Sequence, residues 1–121
     1  MRVADLLGAD LDYWVAKAWM DGASYVTVDA SYVRDFDFHP SENWAQAGPI
    51  IERERIHLEP FPGGDEYPEW LAFEQSDVWG EPLADSPRRQ YGDTALIAAM
   101  RAYVASKFGE EVEDAPREAG D

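Results

Sequence analysis

The sequence predicts an α+β domain, in which a small, mainly antiparallel sheet of three or four strands carries two principal helices, about 9–20 and 94–108, on one face. Three observations predict it. Leu7, Leu11, Trp14, Val15 and Ala18 recur at helical spacing near the start of the chain. The stretch "TALIAAMRAYVASKF" does the same near the end and stops at Gly109. Between them lie short β-branched or alternating runs broken by Gly and Pro, the pattern of strands joined by loops.

Each element has its own reason. Asp5 is the expected N-cap of the first helix, and Gly8 delays regular structure to Ala9 or Asp10. Val26, Thr27 and Val28 favour a pleated surface, and "RDFDFHP" alternates Phe36 and Phe38 against Asp35 and Asp37, as a half-buried strand stopped by Pro40 would. Ser41 can cap a short turn through Trp44. Pro49 suits the first position of a helix over 49–54, which puts Ile50 and Ile51 inward and lets Glu52 pair with Arg55 outside. That helix hands over to a strand at Ile56–Glu59, and "WLAFE" (70–74) is a second strand. Asp93 is the expected cap of the last helix, with Leu96, Met100 and Val104 central to the core. Its back, Ala98, Ala102 and Ala105, is nearly free of charge, which calls for packing on two sides or an interface such as a homo-oligomer.

A chain of 121 residues supports one core, and folding buries about two-thirds of the surface its unfolded form exposes. The expected domain is 1–109, with a long acidic loop at about 60–91 and an acidic, flexible tail at 110–121. With 45% hydrophobic and 13% aromatic residues, the chain has enough bulky apolar surface to fold.

Composition also excludes function classes. The absence of cysteine removes disulfides, thiolate nucleophiles and Cys-ligated metals. A formal charge of −15, from 25 acids against 10 Lys and Arg, opposes direct nucleic-acid binding. Eight of those acids fall between His57 and Pro87, where there is no Lys or Arg. No run of signal-peptide or membrane-span character is present, so no membrane association is expected and the cytoplasm is the default compartment.

Chemistry-bearing motifs are sparse. There is no phosphate-binding glycine loop, nucleophile elbow or helical His pair. Asp35, Asp37 and His39 would share a strand face, but three solvated side chains make a better reading than a metal site. No catalytic residue, metal or cofactor is assigned. The candidate binding residues are Trp44, Glu52, Arg53, Arg55 and Arg101, because Trp and Arg carry interface energy out of proportion to their number. Trp14 belongs to the core stripe, while Trp44, Trp70 and Trp79 remain open. An Arg of the 53/55 pair is expected either to bind a carboxylate of the acidic stretch or to stand exposed beside Trp44 in a partner-binding patch.

The blocks "LDYWVAKA" (11–18), "WAQAGPIIERERI" (44–56) and "TALIAAMRAYVASKFGEEVE" (94–113) resemble, in order, those of the NinX-like family of phage and prophage proteins, named for a gene of the lambdoid nin region. The resemblance implies a small phage-encoded accessory protein acting in an infected bacterium, and it brings no catalytic residues with it. The expected function is therefore binding of a host or phage protein. Two alternatives stand beside it: an acidic DNA mimic that occupies a nucleic-acid-binding protein, and a small enzyme or ligand binder with a pocket near 48–55 and Arg101.

Overall fold

The computed structural model describes residues 1–20, 28–29, 31–61, 70–74 and 89–116. A single 3-10 turn at Val3–Asp5 precedes α1 (Gly8–Trp19), α2 (Tyr32–Asp35) and α3 (Trp44–Glu54). Strands β1 (Ile56–Pro60), β2 (Trp70–Glu74) and β3 (Gln90–Gly92) follow, and α4 (Ala95–Phe108) closes the order. The three strands form one antiparallel sheet in the order β1-β2-β3, so the α+β class holds. Register pairs Ile56 with Glu74 and Pro60 with Trp70, then Trp70 with Gly92 and Ala72 with Gln90.

Helix α4 is the organising element. It packs on all three strands and also on α1 and α3, so one helix takes apolar neighbours on nearly every side. Its composition explains this: Leu96, Met100, Tyr103 and Val104 are buried, and so are Ala98, Ala102 and Ala105. Ala98, Ala102 and Ala105 are thus packed within the chain as a second buried side of the helix. Helix α1 sends Leu11, Val15 and Ala18 into the same core, and central strand β2 buries Leu71, Ala72 and Phe73 in succession. Gly92 is required where β3 meets α4, since a Cβ there would lie 2.6 Å from the Ala98 nitrogen.

Several local expectations are corrected. Asp5 does not cap α1, because it lies in the 3-10 turn and two extended residues, Leu6 and Leu7, separate it from the helix. α4 is capped one residue later than expected, by Thr94, whose Oγ1 accepts the Ile97 N–H at 3.1 Å. Phe36 and Phe38 are not in a strand. Tyr32–Asp35 makes a helical turn, and Asp37 then takes a left-handed conformation (φ 50°) that ends any extended run. Phe36 is 67% exposed, resting 4.6 Å from the Tyr32 ring. The expected strand at 26–28 lies mainly outside the described residues.

Helix α3 begins five residues before Pro49. Asn43 is its cap, accepting the Ala45 N–H at 2.8 Å. Proline is tolerated at this interior position because the Ala45 carbonyl that loses its partner belongs to an exposed residue near the helix start. The chain also stays packed beyond Gly109. Val3 donates to the Glu110 carbonyl at 2.9 Å, Val112 donates to the Met1 carbonyl at 2.9 Å, and Val112 is buried. Packing against the N-terminal segment therefore continues past Gly109 as far as Val112.

Candidate functional site

The five expected binding residues are distributed over four different settings. Trp44 is the first residue of α3 and is 57% exposed. It stands on the wall of an open groove of about 670 Å3 whose other lining includes Glu42, Trp70, Asp93, Leu96 and Ile97. Each of these side chains is there for a local reason. The N-caps of α3 and α4 place Trp44 and Leu96 at helix starts, and the register of β2 puts Trp70 opposite Gly92, where β3 lies tight against the start of α4. Of the five, Trp44 lines this groove, and Glu52, Arg53, Arg55 and Arg101 lie away from it.

Arg53 and Glu54 occupy the opposite end of α3. The Arg53 guanidinium lies 3.8 Å above the Trp19 ring, with one nitrogen 3.2 Å from the Tyr103 hydroxyl and Nε 2.8 Å from a Glu54 oxygen. The other Glu54 oxygen is 3.2 Å from Lys107 Nζ. Glu74, from the end of β2, completes the cluster by sharing a side-chain hydrogen bond with Glu54. Burial pushes the Glu74 carboxyl above its usual range, and the adjacent Glu54 charge adds to the shift. Burial also opposes the Glu54 charge, but hydrogen bonds from Arg53, Glu74 and Lys107 outweigh it and hold that carboxyl low. The two neighbouring carboxyls are thus pushed in opposite directions, Glu74 towards holding its proton and Glu54 towards releasing it. Burial pushes the Tyr103 hydroxyl up to about 12, so it stays protonated beside this network.

Glu52 and Arg55 do not form the expected side-chain pair along a helix. The helix stops at Glu54, and Arg55 turns left-handed (φ 53°), giving its N–H to the Glu52 carbonyl at 3.3 Å. Both residues are exposed. Arg101 is 9% exposed and donates from Nε to the Leu6 carbonyl at 2.9 Å and from a terminal nitrogen to the Tyr91 carbonyl at 2.7 Å. Burial pushes its pKa down from the ordinary guanidinium value. It is a brace that ties the N-terminal segment and β3 to α4.

Sequence reasoning passed over Glu54, Glu74 and Asp12. Nothing in their spacing marks them, because acids are abundant throughout and only the fold singles out those brought indoors. Asp12, 3% exposed on α1, is held by the Ser41 N–H at 2.9 Å, and burial raises its pKa to about 6. Asp35, Asp37 and His39 are parted by the turn: Asp35 pairs with Arg34, while Asp37 lies 3.3 Å from His39. Trp14 is half-buried, with its ring edge-on to Phe108 at 5.3 Å, and Trp79 lies outside the described residues. Among the described residues, no helix is long and apolar enough to cross a membrane.

Fold and site together define a small acidic α+β domain, with one central helix on a three-stranded sheet and an aromatic groove at the start of that helix. The sequence profile of the phage family described as Bacteriophage P22, NinX matches residues 2–107. The chain belongs to that family. A comparison with the curated proteins finds no match.

Proposed function

We propose that this phage accessory protein works by binding another protein, of the phage or of its host, in the cytoplasm of the infected cell. The observation that carries the reading is Trp44: a tryptophan more than half exposed, beside a groove with a second tryptophan and two aliphatic side chains. A large aromatic left in water at a helix start gains by being covered, and aromatic anchors in preformed concavities dominate protein interfaces. The groove volume of about 670 Å3 admits one or two side chains of a partner segment.

A photo-crosslinking residue in place of Trp44, introduced in phage-infected cells, tests the proposal. One defined protein should be joined to the chain, and the same protein should co-purify with the unmodified chain but not with Trp44→Ala of equal melting temperature. Identical co-purification by Trp44→Ala and the unmodified chain would overturn it.

A further inference from the structure

The groove is charged as well as aromatic. Glu42 lies on one part of its wall and Asp93 on another, both exposed, and no Lys or Arg is present among the described lining residues. We infer that the groove receives an arginine side chain from a basic partner segment, its guanidinium lying on the Trp44 ring between Glu42 and Asp93. This rests on the protein-binding reading above and specifies the occupant.

Three features favour a cation. A tryptophan face attracts a guanidinium within about 6 Å of its centroid, most strongly where water is partly excluded. This chain already shows the geometry internally, with Arg53 lying 3.8 Å over Trp19. Carboxylates are the planar acceptors that match a guanidinium fork, so Glu42 and Asp93 supply the hydrogen bonds the ring cannot. Lysine fits less well, because its compact ammonium is more strongly hydrated and presents no fork.

Two opposing charges have to be weighed. The start of α4 carries about half a positive charge from its backbone dipole, and its Thr94 cap already satisfies the Ile97 N–H. Arg101 lies close enough to feel Asp93, though it is turned to the Leu6 and Tyr91 carbonyls. Glu42 stands one residue before the α3 cap just as Asp93 stands before the α4 cap, so the dipole acts on both and the neighbouring Arg101 is what sets Asp93 apart. Local balance remains negative, and the net charge of −15 draws basic segments to the surface from a distance. Glu42 should contribute more than Asp93.

The test uses the full chain and a fluorescently labelled peptide of alternating Arg and Leu, beside the same peptide with citrulline in place of Arg. Citrulline keeps the length and planar shape of the side chain, but replaces one terminal nitrogen donor by a carbonyl oxygen and removes the charge. The Arg peptide should bind at least roughly tenfold more tightly than the citrulline one. Glu42→Gln should weaken Arg-peptide binding more than Asp93→Asn does, Trp44→Ala should abolish it, and none should change the melting temperature. A peptide with Lys for Arg should bind more weakly. Equal binding of Arg and citrulline peptides, no binding of the Arg peptide, or Arg-peptide binding unchanged by Glu42→Gln would overturn the inference. The parent reading fails separately, when Trp44→Ala has no effect on the partner captured in cells.

Discussion

The Asp12 carboxylate accepts the backbone N–H of Ser41 at 2.9 Å, and both residues are 3% exposed, so the link between α1 and the segment before α3 is made by a buried acid. Burial raises its pKa from 3.8 to about 6, which means the folded chain holds the Asp12 proton more tightly than the unfolded chain. The stabilisation from that proton is complete below about pH 4 and is lost as pH rises through 6. A shift of this size corresponds to about 3 kcal/mol at most. Asp12→Asn keeps an acceptor oxygen and removes the ionisation, so it should unfold at higher urea than the parent at pH 7.5 and at nearly the same urea at pH 4. A variant less stable at pH 7.5 would show that the charge itself is favoured there.

Glu54 and Glu74 should respond in opposite senses. Glu54 bridges Arg53 and Lys107, and Glu54→Gln removes the anion that both cations face, at a cost of roughly 1–3 kcal/mol near neutral pH. Glu74→Gln retains hydrogen-bonding capacity toward Glu54 and removes the like charge. With the Glu74 pKa raised, the stability tied to its proton is lost as pH rises, so thermal unfolding of Glu74→Gln should match or exceed the parent at pH 8. The Glu54 contribution runs the other way, since a lowered pKa gives stability that disappears as pH falls.

Arg101→Met tests the brace. Methionine retains much of the side-chain bulk but leaves the Leu6 and Tyr91 carbonyls without their donor. A loss of about 2–4 kcal/mol in chemical denaturation is expected, well above the change from substituting half-exposed Arg53 by Ala. Equal effects at the two positions would show that Arg101 is replaceable by packing.

The C-terminal boundary can be placed by truncation. Removing 115–121 should leave stability within about 0.5 kcal/mol of the parent. Removing 110–121 also takes away Val112 and the acceptor of the Val3 N–H, and the melting temperature should fall clearly. Equal melting of the two shortened chains would put the boundary at Gly109.

By itself the sequence determined what depends on periodicity and on charge counting. Helices α1 and α4, strands β1 and β2, and burial of Leu96, Met100 and Val104 follow from local spacing, because each turn or pleat repeats the same demand on its neighbours. The net charge of −15 and the order of the three family blocks are likewise properties of the linear chain. Tertiary structure alone decided which polar groups have company. Phe36 and Phe38 alternate with acids as strand residues would, yet a four-residue alternation is too short to compete with the helical turn and the left-handed Asp37. Ala98, Ala102 and Ala105 read equally well as an interface or a second packing face until α4 is seen enclosed by the sheet and by α1. Glu54 meets Glu74, and Trp44 meets Trp70, because α3 and β2 each bring a tryptophan at their first residue to the groove and a glutamate at their last residue to the buried cluster. No spacing in the chain encodes that pairing, since it depends on how two separately formed elements are laid against α4, and burial there changes the energy of a carboxylate that in solution would resemble every other acid.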